Sequence, residues 1–251
     1  MPELHAQIPE KYRSGMTAVY DPQNPPSYFL DENSKLVGNI IEIQDLVAAK
    51  LGLKLRVEQA KFSGIIAGLL GSRYDLSAFQ DTPERRAQMD FVDFLKTGTS
   101  VLVRKGNPVG LDFNTLCGRK IGTAHGSNQA VNILPRLQAK CAADGKPAIE
   151  VVVLPGPNEG ALALKAGRVE GWIDATPYIG YMITNSKGEF EKTKTSDVVG
   201  VTGFAFRKGD PMVPLFKQAV QAVMNDGSYM KVIEKWNVHD LALDRPLVNG
   251  E

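Results

Sequence analysis

The 251-residue chain carries 29 Lys and Arg against 28 Asp and Glu, a formal net charge of +1. That length suffices for a large core or for two lobes, and balanced charge without a basic block argues against nucleic acid as a partner. No apolar run is long enough to span a bilayer, and Met1-Pro-Glu-Leu4 has no secretory character, so the expectation is an initiator placed on a chain trimmed of its leader.

In chain order, residues 16–20 read as a first strand, 40–51 as a helix closed by Gly52, and 53–58 as the next strand. A helix over 63–70 has Ser63 as its cap and Gly71 at its end. Residues 74–89 follow as a short apolar strand that breaks at Asp81 and continues as a helix, with Thr82 as N-cap and Pro83 at the first helical position. After an extended run at 97–104 a new series begins: strand 120–124, a turn at Gly126, helix 128–141 and strand 149–154. Helix 159–166, ended by Gly167, leads to strand 169–174 and a helix opening at Thr176-Pro177. A long extended stretch at 198–206 precedes helices over 213–225 and 228–235, which close the chain. This alternation predicts an α/β fold with mainly parallel sheets.

The extended runs 97–104 and 198–206 have the same form and end in similar charged turns, Arg104-Lys-Gly-Asn-Pro108 and Arg207-Lys-Gly-Asp-Pro211. They read as the outgoing and returning crossings between two lobes. Lobe one is then 1–97 with 202–251 and lobe two is 98–201, with a cleft between lobes as the usual place for a small ligand.

Arg85 is the first candidate. It stands in the first turn of the helix opening at Thr82, where a cation is disfavoured unless it shares the site with an anion. Backbone N–H groups and a guanidinium fork there make a receptor for a carboxylate; the plain alternative is an ion pair of Arg85 or Arg86 with Glu84 or Asp90 on a solvated face. The strand-to-helix turn His125-Gly-Ser-Asn128 is the second, where Ser127 can cap and the following N–H groups can meet an acceptor, or simply form a helix cap. Phe62 either packs on the helix it precedes or lies on a cleft wall and stacks on a ligand. Tyr20-Asp21, at the end of the first strand, is a ligand-side position or a turn at Pro22.

Enzyme motifs are absent: there is no Gly-x-Ser-x-Gly elbow, no phosphate loop and no dinucleotide glycine triplet. His5, His125 and His239 lack metal-ligand spacing, so neither metal nor cofactor is expected. Cys117 and Cys141 are two buried thiols or one disulfide, the latter suiting an oxidising compartment.

Several segments together resemble the family-3 solute-binding proteins, the periplasmic receptors of polar amino-acid ABC importers, over nearly the whole length. They are Pro25-Pro26 with Phe29, Phe62-Ser-Gly-Ile-Ile66, Asp81-Thr-Pro-Glu-Arg85 continuing to Met89-Asp-Phe91, Ala166-Gly-Arg-Val169, and Asn225-Asp-Gly-Ser-Tyr229 through Lys235-Trp236. The resemblance implies a type II periplasmic-binding fold: two α/β lobes, two hinge strands and closure on a ligand. It implies that Arg85 holds a ligand carboxylate with help from donors at the Ser127 turn, and that Phe62, Tyr20 and Asp21 line the pocket. It also implies a Cys117–Cys141 disulfide, a permease as partner, a monomer and a periplasmic location.

Four positions depart from the family pattern. An Asp that binds the α-ammonium is expected directly before the helix start at Thr176, but Ala175 occupies it and the carboxylate is one residue earlier, at Asp174. Adjacent strand residues point to opposite faces, so Asp174 should not simply substitute. Asn24 stands where an aromatic is usual, and Ala78 and Gln80 replace a small polar residue and a hydroxyl at the anion site. The expected ligand is thus a carboxylate without a free α-ammonium, an N-substituted or opine-like amino acid, or one whose amine finds another acid such as Asp21 or Glu42. Two rivals remain: a dehydratase similar to the cyclohexadienyl dehydratases, with Asp174 or Glu170 as general acid, and a sensory ligand-binding domain.

Overall fold

A computed structural model describes residues 1–193, 200–236 and 238–251. In chain order its elements are α1 (Pro2–His5), β1 (Met16–Tyr20), β2 (Gln23–Asn24), β3 (Tyr28–Leu30), β4 (Leu36–Val37), α2 (Asn39–Leu51), β5 (Leu55–Gln59) and α3 (Phe62–Leu70). Then come β6 (Ser77–Asp81), α4 (Pro83–Arg86), β7 (Met89–Thr97), β8 (Thr99–Arg104), β9 (Lys120–Ala124), α5 (Leu134–Ala143), β10 (Glu150–Leu154) and α6 (Pro157–Lys165). The chain continues through β11 (Gly171–Ala175), α7 (Thr176–Asn185), β12 (Phe190–Lys192), β13 (Gly200–Arg207), α8 (Met212–Asn225), α9 (Ser228–Lys235) and β14 (Ala242–Val248).

Two compact units divide the chain. Lobe one is Met1–Pro22, Pro26–Thr97 and Gly200–Glu251; lobe two is Gln23–Pro25 and Gly98–Val199. Gly200 and Val201 fall in lobe one because both are paired within its sheet, Gly200 to Thr97 and Val201 to Lys96 and Asp81. Val198 and Val199, the start of the extended run expected at 198–206, lie outside the described residues.

Lobe one contains a four-stranded sheet in the order β14-β7-β13-β6, every pair antiparallel, and a separate parallel pair β1–β5. The expectation of mainly parallel sheets is corrected here. No crossover helix separates β6 from β7 by more than the single turn of α4, so β13 runs back between them in the opposite sense. Both faces of the sheet are covered. Val92, Phe94, Phe204 and Phe206 pack with α2 and α8, while Phe91 and Ala205 pack on the other side with Ile65 and Leu69 of α3. That is why β7 reads as Met-Asp-Phe-Val-Asp-Phe-Leu rather than as a strict alternation. Phe204 lies 4.4 Å from Phe94 and 5.6 Å from Phe216 by ring centroids. Cutting back such a ring costs about 3–5 kcal/mol.

The sequence pattern alone does not mark strands β7, β12 and β14. The helix expected to run to residue 89 stops at Arg86, and the chain closes on β14 rather than on a helix. β14 accepts a Pro because it is an edge strand, where a missing N–H leaves no ladder bond unmade.

Lobe two has a five-stranded sheet, β10-β9-β11-β8-β12, in which β9 is parallel to both neighbours and β8 is antiparallel to β11 and β12. One face packs on α5; the other carries Leu102 and Trp172 beneath Ala163 and Leu164 of α6 and Ile179 of α7. Trp172 is fully buried, and a Cβ on Gly160 of α6 would run into its indole ring. The missing side chain at 160 is what lets helix and indole meet. Cys117 and Cys141 are joined in a disulfide with a Cα–Cα distance of 5.6 Å, which ties the segment leading into β9 to α5.

Candidate functional site

In lobe one, Thr82 Oγ1 accepts the Arg85 N–H at 3.4 Å and caps the single turn of α4, with Pro83 at its first position. A four-residue helix has few aligned peptides, so the dipole expected to favour an anion is small. The site therefore rests on the guanidinium. Arg85 is 8% exposed. Its Nη1 donates to the Gln80 carbonyl at 2.7 Å, and its guanidinium carbon lies 5.0 Å from the Phe79 ring centroid and 5.6 Å from that of Phe62. Desolvation pushes the Arg85 pKa down to about 10, burial having stripped water from the charged form. Arg86 is engaged elsewhere, its Nε donating to Asp81 Oδ1 at 2.7 Å.

Phe62 is half-buried and begins α3. The cap expected from Ser63 is corrected, because Ser63 already lies inside the helix. Asp21 accepts the Phe62 N–H at 2.9 Å instead, reaching the helix start from the end of β1. Tyr20 does not present its hydroxyl to a ligand. It is 1% exposed and donates to Gln44 Oε1 at 2.5 Å, and burial drives its pKa well upward. Ala78 is fully buried with its methyl in the lobe-one core, so it too is corrected as a lining side chain. Gln80 remains half-buried on β6, opposite Thr202. Glu42 forms an ion pair with Lys235 at 2.6 Å and is not a waiting partner for an amine.

In lobe two, Asn24 is half-buried on β2. Gly126, at φ 71°, makes the turn that delivers Ser127. Ser127 Oγ accepts the Ala130 N–H at 3.1 Å and lies 3.2 Å from Thr123 Oγ1. The helix expected over 128–141 opens as a π-helical turn, Gln129–Ile133, before α5. Wide turns of this kind are rare and cluster at functional positions. Asn128 is buried, with Oδ1 accepting from Asn132 Nδ2 at 2.8 Å.

Ala175 is the N-cap of α7 and offers no side-chain acceptor. Asp174 is turned into lobe two: Oδ2 accepts the Trp172 indole N–H at 2.9 Å, and Oδ1 accepts the Ala175 N–H at 2.7 Å. Burial pushes its pKa up to about 6. Both of its oxygens are thus engaged within lobe two. Glu170, the other carboxyl considered as a general acid, accepts the Lys120 N–H at 2.8 Å and pairs with Arg119. Among the described residues no group of three or more His, Cys, Asp and Glu could hold a metal, and no helix is long and apolar enough to cross a membrane.

Two contacts beside these residues escape a reading of the sequence. Phe79 carries one of the two rings against Arg85, and Gln129 donates from Nε2 to Thr99 Oγ1 at 3.1 Å. An aromatic so few residues ahead of Arg85 is the available signal for Phe79; nothing local marks Gln129.

The chain belongs to the bacterial extracellular solute-binding proteins of family 3, whose model it matches over residues 16–239. It is a non-catalytic, extracytoplasmic carrier on a type II periplasmic-binding fold, and its partners by class are a small molecule and the membrane permease of an ABC importer. It is 26% identical over 255 residues to the arginine-binding protein ArgT of Corynebacterium glutamicum, covering all of this chain and 84% of that one. Over 227 residues it is 25% identical to the L-cystine-binding protein TcyJ of Escherichia coli K12, covering 84% and 78%. Among solved structures, an ancestral arginine-binding protein bound to arginine superposes with a TM-score of 0.79 at 28% identity, covering 90% of this chain and 99% of that one.

Proposed function

We propose that the chain captures a small carboxylate-bearing solute of the amino-acid class and that Arg85 holds the carboxylate. The observation that supports this is a guanidinium 8% exposed, set against two aromatic rings and fixed at one nitrogen by the Gln80 carbonyl. A cation with so little hydration left gains more from an incoming anion than a solvated one does. Relatives named for arginine and cystine binding support an amino-acid-derived solute. Phe62 and Gln80 would line the same place in lobe one, and Ser127 and Asn128 would contribute from lobe two. Capture by lobe closure, a periplasmic location and a monomeric state belong to the same proposal.

Among the described residues, the positions weighed for the α-ammonium hold no acid dedicated to it. Ala175 is apolar, Asp174 is committed to Trp172 and Ala175, Glu42 is paired with Lys235, and Asp21 keeps its charge but turns Oδ2 to the Phe62 N–H. The absence of one member of a buried charge pair costs about 2–5 kcal/mol, roughly thirty-fold to several-thousand-fold in affinity. The solute is therefore one that does not depend on such a pair: a deaminated or N-substituted amino acid, opine-like conjugates included.

Calorimetry with L-arginine, Nα-acetyl-L-arginine and 5-guanidinopentanoate tests this. The two analogues should bind at least as tightly as L-arginine, and Arg85→Ala should abolish all binding. Micromolar L-arginine affinity with no binding of either analogue would sink the specificity reading, and full affinity in Arg85→Ala would sink the anion site.

A further inference from the structure

Beneath the turn that carries Arg85 lie two carboxyl groups on neighbouring elements of lobe one, Asp81 at the end of β6 and Asp93 on β7. They are 5% and 0% exposed. β13 runs between their strands, and at the crossing it presents Gly203, where a Cβ would stand 2.5 Å from Asp93 Oδ1. With that space open, the two side chains come within hydrogen-bonding reach of each other. Three of the surroundings are cationic or donor groups: Arg86 Nε on Asp81 Oδ1 at 2.7 Å, the Gly250 N–H on Asp93 Oδ2 at 2.9 Å, and Arg85, near enough to favour charge on Asp81.

The remaining oxygens, Asp81 Oδ2 and Asp93 Oδ1, are buried and receive no hydrogen bond from any donor N–H or hydroxyl. Two carboxylates only accept, so these oxygens can satisfy each other only if one of them holds a proton. Every element packed there agrees. β13 brings no charge at Gly203, β14 places Leu247 opposite Asp93 with its charged Asp244 and Arg245 exposed, and Glu251 adds negative charge near Arg86. Arg86 thus bonds directly to the pair of buried acids, with Arg85 acting on Asp81 from nearby.

We propose that Asp81 and Asp93 share a single proton near neutral pH and that this proton positions and tunes the Arg85 anion site. The inference rests on the reading of Arg85 as the carboxylate receptor. Burial, with Asp81 as the neighbouring charge, raises Asp93 to about 7, and burial raises Asp81 too, against the opposing Arg86 hydrogen bond. With the proton in place the pair and Arg86 are together neutral. When it leaves, an uncompensated negative charge appears beside Arg85 and weakens its hold on any anion. Binding of a carboxylate should therefore be tighter on the acid side of neutrality.

The test compares the unaltered protein with Asp93→Asn, whose amide can accept from Gly250 and donate to Asp81 without titrating. The first readout is thermal denaturation without ligand at pH 6 and pH 8. A group raised in the folded state holds its stabilisation below its unfolded pKa and loses it as pH rises through the folded one. The unaltered protein should thus lose a few degrees of Tm toward pH 8 that Asp93→Asn does not lose. Asp174 titrates in the same range in both proteins, so the difference between them is what counts. The second readout is calorimetry with Nα-acetyl-L-arginine, expected to bind about three- to tenfold tighter at pH 6 than at pH 8, with Asp93→Asn nearly flat.

Identical Tm profiles in the two proteins overturn the shared proton, whatever binds at Arg85. A sound first readout with Nα-acetyl-L-arginine affinity untouched by Arg85→Ala removes the anion site instead. If Asp93→Asn does not fold, side-chain carboxyl carbon shifts of the unaltered protein should show a lobe-one Asp titrating near neutral pH, and none doing so overturns the inference.

Discussion

Trp172 and Asp174 stand two residues apart on one face of β11, and the indole N–H reaches Asp174 Oδ2 at 2.9 Å inside lobe two. The carboxylate nearest the expected ammonium position is therefore a structural acceptor. Gly160 makes this possible by letting the indole lie flush under α6.

Trp172→Phe keeps much of the packing and removes the donor. Leaving Asp174 Oδ2 buried without it should cost about 1–3 kcal/mol. The sign with pH follows from a folded pKa already raised to about 6: stabilisation is present below the unfolded carboxylate value and lost as pH rises through the folded one. Losing the indole donor raises that pKa further. Urea denaturation should therefore show a larger loss at pH 8 than at pH 5, and an equal loss at both would contradict the assignment.

Ala175→Asp restores an acceptor at the start of α7, one residue beyond the committed Asp174. L-Arginine affinity should rise by about thirty-fold or more if the missing acid is the cause of weak α-ammonium holding. Calorimetry on the variant decides, and unchanged affinity would mean that the amine is met elsewhere.

Arg85→Lys keeps the charge but loses the planar fork that lies against Phe62 and Phe79. Affinity for Nα-acetyl-L-arginine should fall at least about tenfold, because an ammonium cannot grip a carboxylate at two points and is more strongly hydrated. Circular dichroism should show an unaltered fold. Retained affinity would reduce the site to a simple point charge.

Reducing the Cys117–Cys141 bond, whose ends are 24 residues apart, should destabilise lobe two by about 3 kcal/mol through loss of the constraint on its unfolded chain. Denaturation with and without dithiothreitol, followed by Trp172 fluorescence in a Trp236→Phe background, reports that lobe.

Much of the fold is legible in the chain itself. Gly52, Pro83 and the 3.6-residue patterns of α2, α8 and α9 mark their elements within a residue or two because those signals are local. The parts that are not legible depend on distant partners. Asp21 caps α3 from 41 residues away, which no pattern at Ser63 could reveal. β14 carries Asp244, Arg245 and Pro246 and reads as tail, yet it pairs along β7 because an antiparallel edge needs only one apolar side. The direction of Asp174 is predictable from strand alternation; its indole partner is not, since the close approach depends on a glycine in another helix.

The bare position at 203 carries a consequence for how this lobe can vary. A methyl there would press on Asp93 Oδ1 at 2.5 Å and on the Val92 carbonyl at 2.7 Å, and the second obstacle is main chain that cannot swing aside. Shortening the side chain at 93 would clear only the first obstacle, so the main chain excludes a side chain at 203 whatever stands at 93. Among natural homologues position 203 should therefore stay glycine even where 93 has lost its acid.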